Sequence, residues 1–201
     1  MQNIPTRIKG LIFDLDGTLV DSMPLHYLSW RNTGREYGIE ITIDILRAMT
    51  GKPMDPSLAY LDKVFNTKLP VEEFSVKKDD EVWKNLGQIE RIPEVFEYVK
   101  YYHSKLPMAV GTGSTREMAL KILAHTGLEK YFTHIVGGDE IKKHKPNPET
   151  FIKCAELIGV EPQACAVFED GQLGIDAANT AGMYPIDVTK FIKLNWYDRE
   201  Y

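Results

Sequence analysis

The ten residues from Leu11 to Val20, Leu-Ile-Phe-Asp-Leu-Asp-Gly-Thr-Leu-Val, constrain this chain more than any other stretch. Ile8 and the run Leu11 to Phe13 read as a short buried strand, and Gly17 breaks it into a loop. Two carboxylates, Asp14 and Asp16, therefore leave the strand at its carboxyl end, where ligands bind in open α/β sheets. Two residues apart on extended backbone, they share a face. Carboxylates that close repel one another unless a proton or a cation stands between them. The stretch asks for a metal ion.

The rest of the composition sets bounds. The chain has 201 residues, a net charge of −5 and a pI near 5.6. Its 24 basic residues form no tract, so a nucleic-acid or anionic-membrane surface is not expected and a phosphate would have to be held by a local site. Cys154 and Cys165 lack metal-ligand spacing and read as small buried thiols of a reducing compartment. Met1 to Gly10 is polar and lacks a signal-peptide pattern, and no run reaches the length of a membrane span. A cytoplasmic protein is expected, monomeric or a weak dimer.

Past the first strand the pattern turns helical. Pro24 to Tyr37 reads as a helix stopped by Gly38. Asp55-Pro56 reads as an N-cap and first helical residue, followed by Leu58, Leu61, Val64 and Phe65 on one side. Val71 to Leu86 is a third, highly charged helical stretch. From Pro93 onward helix and strand alternate: helix Pro93–His103, strand Pro107–Val110, a helix opened by a Ser114-x-x-Glu117 capping box and stopped at Gly127. A weak strand His134–Val136 follows, then a helix capped by Asn147-Pro148, strand Ala164–Phe168, helix Gly171–Ala181 and strand Tyr184–Val188. This predicts an α/β fold: a Rossmann-like three-layer parallel-sheet core, residues 1–20 and 94–201, with an all-helical cap inserted at 21–93. The aromatic stretch from Phe191 to Tyr201 carries no readable pattern.

Four separated loops each lie at a strand end or a helix start, and each carries groups suited to phosphoryl transfer. They are Asp14 with Asp16; Thr112-Gly113-Ser114, a hydroxyl and a glycine amide at a helix start; Lys145-Pro146-x-Pro148, a cation on a stiff turn; and Glu169-Asp170. Oxygen ligands without Cys or His suit Mg²⁺. His103, His125, His134 and His144 show no ligand spacing and read as structural or exposed.

In order and context these loops resemble the four motifs of the haloacid dehalogenase superfamily, over residues 8 to about 188. The helical insert directly after the first motif resembles the subfamily of sugar-phosphate phosphatases and β-phosphoglucomutases. That resemblance implies Asp14 as the nucleophile, Asp16 as general acid and then base, and Thr112 and Lys145 as catalytic groups that hold the transferring phosphate with Gly113 and Ser114. It also implies an Mg²⁺ shell from Asp14, Asp16, Glu169 and Asp170, Asp16 through its backbone carbonyl. In the cap, His26, Lys52 after Gly51, and Lys78 are similar to substrate-binding positions of the mutases, where His26 reads either as an orienter of the acid/base or as an ordinary helix residue. Met54 stands where the mutases carry an arginine for a second phosphate, which favours a phosphatase over an isomerase. Ala109 to Ser114 and Val167 to Asp170 resemble bacterial enzymes acting on fructose 1-phosphate. The remaining alternative is a receiver-like domain that accepts phosphate on Asp14 as a signal.

Overall fold

A computed structural model describes residues 4–49 and 52–193. In chain order its strands and α-helices are β1 (Gly10–Phe13), β2 (Val20–Asp21), α1 (Met23–Glu36), α2 (Ile43–Met49), α3 (Met54–Phe65), α4 (Val71–Asn85), β3 (Glu90–Arg91), α5 (Pro93–Tyr102), β4 (Met108–Gly111), α6 (Arg116–His125), β5 (His134–Val136), α7 (Glu149–Leu157), β6 (Cys165–Glu169), α8 (Gln172–Thr180) and β7 (Tyr184–Asp187). They form two compact units, one from residues 4–21 and 90–193, the other from 22–49 and 52–89.

The first unit is a five-stranded parallel sheet in the order β5-β4-β1-β6-β7. Its middle strands are apolar on both sides because both faces are covered, as parallel sheets require. Alternation along β1 shows this directly. Ile12 joins Ala109, Val167 and the α7 and α8 residues Phe151, Cys154, Ala177 and Ala178 in one core cluster. Phe13 points to the other face, where it stacks on Phe168 at 4.5 Å and meets Phe132 edge-on. Tyr98 of α5 packs edge-on against Phe168 at 5.0 Å. The order changes direction at β1, between β4 and β6, so the carboxyl ends of these three strands frame the crevice in which such sheets bind ligands.

The second unit is helical. Its core joins Met23 and Tyr27 of α1, Leu46 and Met49 of α2, Leu58 and Leu61 of α3, and Phe74 of α4. Trp30 and Tyr37 both lie 5.4 Å from the Phe74 ring. Gly38 takes a φ of +73° just after α1, the left-handed stop expected of it.

Four expectations need correction. The helix α2 is additional to the three expected in the insert. Asp55 lies inside the first turn of α3, with Pro53 at the N-cap position, because the helix starts at Met54. Val64 is 46 % exposed, so the apolar side of α3 is narrower than the spacing suggests. And β2 pairs antiparallel with β3, a two-residue ribbon where the chain leaves the sheet unit and returns to it. Among the described residues, no helix is long and apolar enough to cross a membrane. Phe191 packs against Tyr98 at 5.6 Å; the stretch from 194 onward lies outside the described residues.

Candidate active site

At the end of β1, Asp14 is held from both sides. Its backbone N–H donates to the carbonyl of Phe168 on β6 at 2.9 Å, and its Oδ1 accepts from Lys145 Nζ at 2.6 Å. The same ammonium donates to Glu169 Oε2 at 2.7 Å and approaches the Gly111 carbonyl at 3.4 Å. Lys145 lies 4.6 Å from the centre of the Phe151 ring, with its side chain only 11 % exposed. Its three donor directions are thus accounted for, which fixes a normally flexible side chain.

The loop carrying Lys145 is itself anchored. Glu149, in the first turn of α7, accepts the backbone N–H of Lys142 and of Lys143, both at 3.0 Å. These amides hold its carboxyl below the usual range. The Lys145–Pro146 peptide bond is cis. The expected N-cap Asn147 and first helical residue Pro148 are corrected by one position: α7 starts at Glu149 with Pro148 at the N-cap, while Asn147 Oδ1 accepts the Glu149 N–H at 3.1 Å.

Glu169, the last residue of β6, has both carboxylate oxygens engaged. Oε2 faces Lys145, and Oε1 accepts the backbone N–H groups of Asp170 and Gly171 at 3.2 and 3.0 Å. A Cβ at Gly174 would overlap this carboxylate, so α8 can approach it only with glycine there. Asp170 accepts from Thr18 Oγ1 at 3.1 Å. Gly17, at φ +81°, likewise leaves room for the Asp170 carboxylate, which a Cβ would strike.

Asp14, Glu169 and Asp170 each offer an oxygen, and the three lie within 4.8 Å of one another. Burial first, and then the Glu169 charge, push the Asp14 carboxyl well above the usual carboxylate range. The same two causes push Asp170 up to about 8. Burial works against the Lys145 ammonium, but the Asp14 and Glu169 carboxylates outweigh it and hold its pKa above the ordinary lysine value. Two buried acids, Asp14 and Glu169, and the half-buried Asp170 face one cation. Hard oxygen donors in charge excess fit a magnesium-type ion, which would be held by Asp14 and Asp170 with Glu169 beside them.

Asp16 belongs to a different contact. Its Oδ2 accepts from Ser114 Oγ at 2.7 Å and is 3.4 Å from Thr112 Oγ1. The capping expectation is corrected here: Thr115, not Ser114, is the N-cap of α6, its hydroxyl accepting the Met118 N–H. The first amide of that helix, Arg116 N, donates to Asp139 at 2.7 Å. Thr112 Oγ1 accepts the Ser114 N–H at 3.0 Å, closing a tight turn through Gly113.

Asp14, Asp16, Thr112, Gly113, Ser114, Lys145, Glu169 and Asp170 all belong to the sheet unit. The expected cap residues belong to the helical unit: His26 half-buried on α1, Lys52 exposed before α3 with its ammonium 5.4 Å from the Tyr60 ring, and Lys78 buried on α4 and paired with Asp79 at 2.7 Å. Gly51 lies outside the described residues. Thr18, Glu149 and the Ser114–Asp16 contact were not anticipated. Thr18 was visible in the first motif; Glu149 carried no signal, since its partners are backbone amides of any residue type.

A parallel α/β sheet with an aspartate pair, a lysine and a second acid pair at its strand ends defines a hydrolase of the haloacid dehalogenase type. Residues 11–188 match the haloacid dehalogenase-like hydrolase family, and the chain belongs to it. It is 40 % identical over 183 residues to the fructose-1-phosphate phosphatase YqaB of Escherichia coli (strain K12), spanning 90 % of this chain and 97 % of that one. It is 33 % identical over 178 residues to the phosphorylated carbohydrates phosphatase of Thermotoga maritima, covering 88 % and 82 % of the two chains. The crystal structure of a β-phosphoglucomutase from Clostridium difficile superposes with a TM-score of 0.80 at 27 % identity, over 89 % of this chain and 83 % of that one.

Proposed function

We propose that this enzyme is a phosphatase that hydrolyses a small sugar phosphate of the fructose 1-phosphate kind, through an aspartyl phosphate on Asp14. The phosphatase reading is supported by the two phosphatase relatives and by membership of a hydrolase family. The observation that carries the mechanism is the Lys145 ammonium seated between Asp14 and Glu169 at 2.6 and 2.7 Å. It offsets charge on a buried nucleophile that otherwise repels a phosphate dianion.

In the first step the Asp14 carboxylate attacks phosphorus, the bond from phosphorus to the sugar oxygen breaks, and Asp16 gives its proton to that oxygen. In the second, Asp16 takes a proton from water as the water oxygen attacks phosphorus, and the bond to Asp14 breaks. Thr112 donates to a phosphoryl oxygen in both steps. A magnesium ion held by Asp14, Asp170 and the Asp16 carbonyl, with Glu169 beside them, would neutralise the phosphoryl oxygens. Glu169 orients Lys145. The helical unit, with His26, Lys52 and Lys78, selects the sugar.

Purified protein assayed with Mg²⁺ against a panel of phosphate esters tests this reading. Fructose 1-phosphate is expected among the fastest substrates, with free sugar and inorganic phosphate as products; a hexose 6-phosphate formed from a 1-phosphate would establish mutase chemistry instead. Asp14→Asn is expected to abolish turnover with the fold intact, since it removes the covalent pathway. Substantial residual activity in that variant would exclude Asp14 as nucleophile.

A further inference from the structure

The turn from Thr112 to Ser114 presents two hydroxyls to one oxygen, and they are not equivalent. Ser114 Oγ donates to Asp16 Oδ2 at 2.7 Å, within the range of a charge-assisted O–H···O bond. Thr112 Oγ1 stands 3.4 Å from the same oxygen, too far for a strong one. Thr112 also accepts the Ser114 amide, which directs its lone pair back along the turn and leaves its proton as the group that can turn toward a ligand. The helix start makes no demand on Ser114, because Thr115 caps α6. The serine hydroxyl is therefore committed to a side chain 98 residues away in sequence.

An aspartate carboxyl rotates broadly about its last torsion. A proton donor must instead meet its target oxygen within hydrogen-bond reach at a productive angle, so a fixed rotation is worth rate. We propose that Ser114 is the positioning residue of Asp16: its hydroxyl sets the rotation of the acid/base carboxyl, leaving Thr112 to hold phosphate. This divides between two hydroxyls what the motif assigns to phosphate binding as a whole. It rests on Asp16 being the proton-transfer group of the proposed reaction.

The test is a double-mutant cycle on the sugar phosphate turned over fastest in the panel, with kcat and KM measured for the wild type, Ser114→Ala, Ser114→Thr, Asp16→Asn and the Asp16→Asn/Ser114→Ala pair. Ser114→Ala is expected to lower kcat about ten- to a hundredfold, the effect of losing one hydrogen bond to a charged group, with KM changed less than about threefold. Ser114→Thr, which keeps a hydroxyl, is expected to recover most of that loss. In the Asp16→Asn background the serine deletion is expected to cost almost nothing further, because Ser114 acts through Asp16. A rise in KM with kcat unchanged would show that Ser114 grips the substrate, and a full additional loss in the Asp16→Asn background would show that it acts independently; either result overturns the proposal. Wild-type turnover by Asp16→Asn itself would remove Asp16 from proton transfer and the proposal with it. Melting temperatures of all five proteins separate these effects from loss of fold.

Discussion

Asp14 and Asp16 stand two positions apart, yet their partners differ: one faces an ammonium and two further acids, the other two hydroxyls. Their chemistry should separate accordingly. A sugar alkoxide needs a proton to depart, whereas p-nitrophenolate leaves as a stable anion. Asp16→Asn should therefore cost on the order of 10² to 10⁴ in turnover of a sugar phosphate, the usual contribution of general acid–base catalysis. With p-nitrophenyl phosphate the same variant should release a burst of nitrophenolate and then stall with Asp14 phosphorylated, because water still lacks its base. A stopped-flow trace checks this; equal loss of burst and steady-state rates would show that Asp16 holds the site together instead. At the same scale, burial raises the thiol of Cys154, and that of Cys165 is pushed up to about 11. Both sit in the core between the sheet and α7 and α8. Native protein at pH 8 should resist a thiol reagent such as dithionitrobenzoate, and the denatured chain should release two equivalents.

The elements bring these residues to one place, and two of them have measurable anchors. Thr115→Ala should destabilise the protein by about 1 kcal/mol, the usual cost of an N-cap, read from urea unfolding. Glu149 ties down the loop that carries Lys145. Its folded pKa lies below the ordinary glutamate value because the Lys142 and Lys143 amides bond the ionised form. That anchoring is complete above the unfolded pKa and fades as pH falls through the lower folded one. The amide resonances of Lys142 and Lys143 should therefore titrate together below pH about 4.5, and Glu149→Gln should remove the titration. Legibility in the sequence followed the same physics. Leu11–Phe13 and Ala166–Phe168 were plain because strands covered on both faces are continuous apolar runs. The helix α2 was not, since its seven residues bury only Leu46 and Met49 and span too few turns to show a period. Ser114 and Thr115 are adjacent hydroxyls with the same capping chemistry, and what decides between them is the distant Asp16 carboxylate. All eight expected core site residues lie in one unit because strand ends converge by topology, whereas Glu149 acts through backbone groups that no side-chain pattern reports.

For the molecule as a whole, the acid cluster is a liability that a cation would relieve. Asp14 and Glu169 share one ammonium and Asp170 lies close beside them, so an ion bound by the folded state and not the unfolded one should add stability. Mg²⁺ at about a hundred times its Kd should contribute about 2.7 kcal/mol, seen as a rise in melting temperature. Asp170→Asn should lose that rise while matching or exceeding the wild type without metal, and a melting temperature indifferent to Mg²⁺ would exclude the cluster as its site. The ribbon of β2 and β3 carries a consequence of another kind. Val20 faces Arg91 and Asp21 faces Glu90, so the two points where the helical unit joins the sheet unit are hydrogen-bonded neighbours. To the sheet, residues 22–89 are one hairpin loop, and doubling the length of such a loop changes its closure cost by only about 0.6 kcal/mol. The segment between these four residues can thus be lengthened or trimmed while the strands on either side keep their register, so the hydrolytic centre and the helical unit are free to vary separately.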